Sequence, residues 1–457
     1  MPAEVIIVGG GISGLATAYY LGRQGIHSVI IEKSHRLGGL VETELINGCR
    51  LEAGPDSYIA AKPAVAELAG DLGDLSSAII PSNDDARRVF IVRQGRLVAM
   101  PSGMMMMVPG RWGPVIRSGL LSTQTKLRLL TETLSRPRQR TGDVTVSELI
   151  GEHFGQEVVD YIAEPLLCGV YGGRVDQLSA ESVLPRFAGY ERKYGSLVRG
   201  ARSESKEISR SGSLFRSFRD GMQQLTDALG LAIGASSQVI RSEVTGVSRM
   251  PGGWRVEAAG DSLSAKHLIL ACPAHVCREL LQDSAIELAQ ELDAISYSSA
   301  ILTTLVFDRA SLGHPLDGFG FLVPQKERRT VAAATWVSTK FPSRVPANFA
   351  AIRTFIVGPQ AAELMESSEE ALLETARSEL RRLMGVETAP RFSTTHKWPN
   401  SMPQYLVGHA ERVKRIREHT RGREGLHLVG NAYEGVGMPD CVRLAKQVAE
   451  CFSAYGR

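Results

Sequence analysis

The stretch EVIIVGGGISGLATAYYLGRQGIHSVIIEK, Glu4 to Lys33, constrains this chain more than any other. EVIIVGG is an apolar run with β-branched residues. SGLATAYYLGRQG has helical apolar spacing and stops at Gly25, and HSVIIEK reads as a second buried strand. Between the first strand and the helix stand Gly9, Gly11 and Gly14, in the order G-x-G-x-x-G. The first glycine permits the tight turn and the second lets a pyrophosphate approach the backbone. The third lets helix and strand pack closely, with the helix N-terminus facing the anion. Glu32 ends the second strand 18 residues beyond Gly14, where a carboxylate can take ribose hydroxyls. The pattern predicts an α/β, Rossmann-type dinucleotide site, without separating NAD from FAD.

Further glycine turns make that distinction. HRLGG (Arg36, Gly38, Gly39) follows the second strand, and LEAGPDSY brings Gly54, Pro55, Asp56 and Ser57 soon after. Near the C-terminus LVGNAYEGVGMPD, Leu428 to Asp440, is a second strand–turn–helix signal. NAD has no use for these extra turns, whereas FAD is longer and its flavin must be cradled far from the adenine. Peptide N–H groups and a helix N-terminus in the C-terminal turn would face the flavin's pyrimidine edge, where negative charge develops on reduction.

At 457 residues the chain has room for two or three domains, and its 43% hydrophobic and 22% charged residues are those of an ordinary globular protein. No run approaches the ~18 apolar residues of a spanning helix, and the N-terminus enters a strand without the pattern of a secretory signal. The expectation is a cytoplasmic location. Six scattered cysteines do not form a disulfide framework. Cys272, His275 and Cys277 in CPAHVC lack the second half-site of structural zinc, so no metal is expected and a strand running into a helix is the better reading. Residues 87–220 hold 21 Lys and Arg against 13 Asp and Glu, leaving the rest of the chain net acidic. That basic middle suits an anionic ligand, an anionic membrane surface or a solvated helical face. It is also mostly helical in pattern from about 123 to 200, followed by a polar run, SESKEISRSGS, that reads as a loop. Residues 300–407 are richer in strands. MMMM, Met104 to Met107, reads as core or pocket wall, with a membrane-contacting loop as the sharper alternative.

The segments GGGISGLATAYYL, EKSHRLGGLVET, GPDSYIAAKP, EPLLCGVYGGRVDQLSAES, GSLVRG, KWPNSMPQYLVGH and GNAYEGVGMPDC together resemble the FAD-dependent amine-oxidase-like flavoproteins. Within them they are most similar to the protoporphyrinogen/coproporphyrinogen oxidases of haem biosynthesis, on the bacterial coproporphyrinogen side. The resemblance implies a Rossmann-type FAD domain, discontinuous over 1–85, 212–280 and 422–457. It adds a helical, membrane-domain-like part over 101–211 and a mixed-sheet substrate domain over 86–100 and 281–421. It puts FAD against Gly9, Gly10, Gly11, Ile12, Ser13 and Gly14, then Glu32, Lys33 and Leu40, then Gly54, Pro55, Asp56 and Ser57. Val244, Trp398, Val436, Gly437 and Met438 complete the set.

For substrate the resemblance offers Lys62, to pair a propionate, and Tyr171, to stack on a pyrrole ring. A solvated lysine and a core tyrosine remain alternatives, and Arg87 and Arg88 are candidates from charge alone. The implied reaction is oxidation of coproporphyrinogen III by molecular oxygen with release of hydrogen peroxide. Flavin N5 is the hydride acceptor and no side chain is assigned as catalytic. Rivals are protoporphyrinogen IX oxidation, another amine-oxidase-like chemistry, or a flavin-binding haem-assembly protein without turnover. No nucleic-acid partner is expected. Peripheral contact with the inner face of the membrane, hand-off to later haem-pathway enzymes and oligomeric state stay open.

Overall fold

A computed structural model describes residues 3–208, 212–258 and 260–453. Its first sheet is assembled from three distant parts of the chain. Ser237–Arg241, Ser28–Glu32, Ala3–Val8 and Asp261–Leu270 lie side by side in parallel, and Leu426–Leu428 joins the far side of the last of these. The first half of Asp261–Leu270 instead pairs antiparallel with Gly253–Ala258, which pairs with Val244–Met250. Val5, Ile6 and Ile7 are fully buried because both sheet faces are covered. Val5, Ile7, Ile30 and Ile269 pack on the side of helices Ile12–Gly22 and Met438–Ser453. Ile6, Val8, Ile31 and Leu270 pack on the side of helices Ala274–Leu281 and Ile286–Asp293. The two-residue alternation of a strand is what divides them.

The second sheet runs Phe392–Pro403, Tyr297–Asp308, Phe349–Val357, Ala333–Trp336, Gly320–Leu322, Val89–Arg93 and Arg96–Ala99. Every neighbouring pair is antiparallel except Gly320–Leu322 with Val89–Arg93, so the sheet is mixed. The amphipathic helix Glu369–Met384 covers one face, burying Ala376, Leu380 and Leu383 against Leu305, Phe307 and Ile352. Ser368 caps its start and Gly385, at φ +68°, ends it.

Between the sheets in sequence lies a helical region built on Val146–Phe154, Glu164–Tyr171, Pro185–Tyr194 and Leu197–Ile208. Thr145 and Glu148 form a capping box at the start of the first. A π-helical turn, Val159–Ala163, precedes Glu164–Tyr171. Met104 and Met107 are buried in this region's core, while Met106 is half exposed on a short hairpin of Met104–Met105 and Val108–Pro109. One expectation needs correction. The polar run SESKEISRSGS is not a loop throughout, because the helix begun at Leu197 continues to Ile208. Its residues 209–211 lie outside the described residues. Weak helix propensity of serine is overridden by a helix already nucleated upstream.

Candidate functional site

The glycine turn separates what the protein needs from what a ligand needs. Gly9 has φ +106°, and a Cβ there would stand 2.8 Å from the Ala271 carbonyl oxygen. A Cβ on Gly14 would stand 1.9 Å from the carbonyl oxygen of Gly9. Both glycines are therefore required by the fold itself. Gly11 is different: its φ of −72° suits any residue, and the nearest atom to an added Cβ is the Gly39 Cα at 3.9 Å. Nothing in the protein asks for glycine at position 11, so the free space there is a cradle a side chain would fill. The helix beginning with Ile12 and Ser13 has no side-chain cap, leaving its first-turn N–H groups available to an anion.

Glu32 is held beside this cradle. One carboxylate oxygen accepts from the Gly10 N–H at 2.6 Å and the other from the Ser34 N–H at 2.8 Å. The Glu32 carbonyl accepts from the Ser242 N–H at 3.0 Å, which brings Val244 to the same edge. Lys33 is exposed next to it. Across the cradle, Gly38 donates its N–H to the Gly10 carbonyl at 2.9 Å. Arg36 folds that turn by donating to the carbonyls of Leu37, Gly39 and Val41 and to Glu42. Leu40 continues into backbone contact with Gly54, where an added Cβ would lie 1.8 Å from the Leu40 oxygen.

The turn Gly54–Ser57 rests on a buried ion cluster that sequence reasoning missed. Lys340 donates to both oxygens of Asp56 at 3.0 Å, Arg344 pairs with Glu52, and Arg353 donates to the Gly54 carbonyl. Burial alone would hinder ionisation of Asp56, but the charges of Lys340 and then Arg353 outweigh it and hold the carboxyl below the usual carboxylate range. The side chain of Asp56 is thus committed to Lys340, and Pro55 and Ser57 are only partly buried. Trp398 donates its indole N–H to the Ala53 carbonyl at 2.7 Å, standing against the same turn.

The C-terminal turn reaches the same place for a topological reason. Asp261–Leu270 lies between Ala3–Val8 and Leu426–Leu428, and Leu270 is in register with both Val8 and Leu428. The two glycine loops therefore leave the sheet at one level, at the carboxyl ends of parallel strands, where ligands of such sheets bind. Val436 and Gly437 are partly exposed there, and Met438 begins the last helix.

Two substrate candidates meet at that helix. Lys62 Nζ is 2.6 Å from Asp440 Oδ2, at the edge of a cleft of about 530 Å³ that also takes in Glu67, Arg443, Lys446 and Glu450. Tyr171 is buried, and burial followed by the charge of Asp440 pushes its phenol up to about 12. Asp440 itself was not anticipated, although it stands in the quoted motif. Arg87 and Arg88 sit in exposed ion pairs with Asp84 and Asp317, at 3.6 and 3.0 Å. In CPAHVC the Cys272 and Cys277 sulfurs are 3.4 Å apart, and His275 sets its ring edge-on to Tyr297. Among the described residues no cluster of His, Cys, Asp or Glu is arranged to hold a metal ion.

Comparison with known proteins matches residues 12–452 to the flavin containing amine oxidoreductase family. Coproporphyrinogen III oxidase of Staphylococcus aureus is 29% identical, covering 98% of this chain and 99% of its own length. Human protoporphyrinogen oxidase is 30% identical, covering 98% of each. A crystal structure from Exiguobacterium sp. 255-15, provisionally named a protoporphyrinogen oxidase, is 30% identical with a TM-score of 0.89 over 99% of both chains. With its cradle at Gly11, its acid at Glu32 and a second glycine turn level with the first, the chain belongs to the flavin containing amine oxidoreductase family and is an FAD-dependent oxidoreductase.

Proposed function

We propose that this enzyme oxidises coproporphyrinogen III to coproporphyrin III with molecular oxygen as acceptor, releasing hydrogen peroxide. The observation that carries this reading is similarity along almost the whole chain to bacterial coproporphyrinogen III oxidases. The backbone of Gly9 to Gly14, with the helix start at Ile12 and Ser13, would take the pyrophosphate of FAD. Glu32 and Lys33 would take the adenosine ribose side, and the backbone of Val244 the adenine. Leu40, the backbone of Gly54 to Ser57, Trp398 and Val436 to Met438 would surround the flavin. Bound FAD supplies a two-electron acceptor at N5 and a route for those electrons to oxygen.

The chain's own residues then orient the macrocycle and exclude water. Tyr171 would offer a buried aromatic face and Lys62 a cation for a propionate, with Asp440 as its partner in the free enzyme. Coproporphyrinogen carries four propionates and protoporphyrinogen two, so cations near the cavity favour the former. The division into an FAD domain (1–85, 212–280, 422–457), a helical domain (101–211) and a substrate domain (86–100, 281–421) belongs to this proposal. So does a cytoplasmic site of action with peripheral contact at the inner face of the membrane. Anaerobic addition of each porphyrinogen tests the function directly. Coproporphyrinogen should bleach the flavin band and show the higher kcat/KM. An unbleached flavin would mean a binding protein without turnover, and a preference for protoporphyrinogen would move the assignment to that substrate.

A further inference from the structure

A short segment and the start of the helix after it hold the C-terminal glycine loop at three of its residues. After the strand Phe392–Pro403, residues 404–408 lead into the helix His409–Arg421. Tyr405 is only 1% exposed, and its hydroxyl donates to the Asn431 carbonyl at 2.7 Å while accepting from the Gly435 N–H at 2.8 Å. His409 is 4% exposed, with Nε2 3.0 Å from the Tyr433 carbonyl. A carbonyl can only accept, so the proton lies on Nε2. The two rings are stacked, with centroids 4.0 Å apart and planes 13° from parallel. Residues 431, 433 and 435 are therefore pinned in turn by two side chains that brace each other.

What they pin is a strained path. Gly435 has φ +112°, and a Cβ there would stand 2.3 Å from the Asp440 carboxyl carbon. The next residues are Val436, Gly437 and Met438. Val436 packs on the same buried cluster as Tyr171 and Tyr405. Gln404, one residue earlier, donates to the Tyr171 carbonyl and to the Ser298 hydroxyl. One segment thus fixes both the loop and the candidate substrate tyrosine.

We propose that Tyr405 and His409 are positioning residues that set the flavin's reduction potential by fixing the loop 431–438. This inference rests on the reading that Val436 to Met438 face the flavin. N–H groups held in place before reduction stabilise the negative charge that reduction creates, without having to reorganise at that moment. A loop free to relax loses that advantage for reduced flavin far more than for oxidised flavin. A hydroxyl that only filled space could be replaced by hydrogen without consequence for the potential. The hydroxyl of Tyr405 instead makes two of the three bonds that this stacked pair gives the loop, beside those that Arg417 and Arg443 make to Glu434.

The test uses Tyr405→Phe, which keeps the stacked ring and removes both bonds, and His409→Phe, which keeps a stacked ring and removes the third. Potentials are measured on holoenzyme at saturating FAD by anaerobic equilibration with redox dyes. Each variant should favour reduced flavin at least tenfold less than wild type, a fall of about 30 mV for two electrons. His409→Gln, which can still donate to the Tyr433 carbonyl, should recover part of the loss. If Tyr405→Phe does not fold, the two His409 variants decide alone. Wild-type potentials in variants that hold FAD stoichiometrically would overturn the proposal. Gly437→Val tests the reading beneath it, because a Cβ there meets only Asp440 and Pro439 at 3.4 and 3.6 Å. Full FAD occupancy with a wild-type flavin spectrum and potential in that variant would overturn the placement of the loop against the flavin. A perturbed Gly437→Val beside unchanged Tyr405 and His409 variants would overturn the proposal alone.

Discussion

Gly11 and Gly14 belong to one fingerprint, yet substitution should separate them cleanly. At Gly11 alanine keeps an allowed φ of −72° and places its Cβ no closer than 3.9 Å to another residue. Restricting the unfolded chain favours such a change by about 0.4–1 kcal/mol. Losing glycine's preference over alanine as helix cap opposes it by up to about 1 kcal/mol. The two nearly cancel, so the apo-protein of Gly11→Ala should melt within a few degrees of wild-type apo-protein. Its defect appears only with the cofactor, because the new methyl occupies the cradle. Wild type in FAD at a hundred times its dissociation constant gains about 2.7 kcal/mol, and the variant should lose most of that increment. Gly14→Ala is the opposite case. Its Cβ would lie 1.9 Å from the backbone oxygen of Gly9, where neither partner is a flexible side chain. Overpacking of about 1–3 kcal/mol or more should lower stability with or without FAD. Thermal melts of apo- and FAD-saturated protein, with absorbance for FAD stoichiometry, measure both effects. Full FAD occupancy and a wild-type FAD-dependent shift in Gly11→Ala would refute the reasoning.

Three further outcomes are expected. Lys62→Ala should raise KM for coproporphyrinogen more than for protoporphyrinogen and leave FAD content intact. Because it also strips a buried Asp440 of its partner, Lys62→Ala combined with Asp440→Asn separates the propionate effect from the cost of an unpaired carboxylate; equal KM changes for both substrates would remove Lys62 from a propionate. Burial pushes His409 and His427 down to about 4, so the folded state resists a proton that the unfolded chain takes up near pH 6.5. Their contribution is intact above pH 6.5 and is lost as pH falls from there towards 4, by on the order of 3 kcal/mol for His409. Urea melts across that range should show the slope, and His427→Phe should flatten it. Met106, Ile116, Leu127 and Leu134 are exposed apolar side chains in the basic region, so the protein should sediment with anionic vesicles at low salt. High salt should weaken that association. No helix among the described residues is long and apolar enough to cross a membrane.

The parts of this site that could be read in the sequence are those whose physical cause is local. Gly9, Gly14 and Gly435 are each forced by φ or by an atom a few residues away or on the neighbouring strand, so their spacing carries the information. Partners supplied from far along the chain leave no such mark. Asp56 stands in a legible motif, but the partner of its side chain, Lys340, lies 284 residues away. Lys62 was legible as a cation for a propionate, but its partner Asp440, 378 residues on, was not. Charge alone singled out Arg87 and Arg88 without showing their partners, the carboxylates of Asp84 and Asp317.

The presence of two glycine turns was legible, but their alignment was not, because it depends on strand order. Two signals more than 400 residues apart become neighbours only because Asp261–Leu270 lies between them, with Leu270 level with Val8 on one side and Leu428 on the other. Adjacent strands are ~4.8 Å apart, so the loops begin roughly 10 Å from each other. That separation is shorter than an extended FAD, so a cofactor gripped by both loops, as proposed, would have to run away from the first before its flavin met the second. The turn Gly54–Ser57, with Trp398 donating to the Ala53 carbonyl beside it, would line that course. Arg353 in the second sheet and Lys340 in the short helix after its strand Ala333–Trp336 hold that turn, so the place where a flavin would lie is built by both sheets rather than by the fingerprint alone.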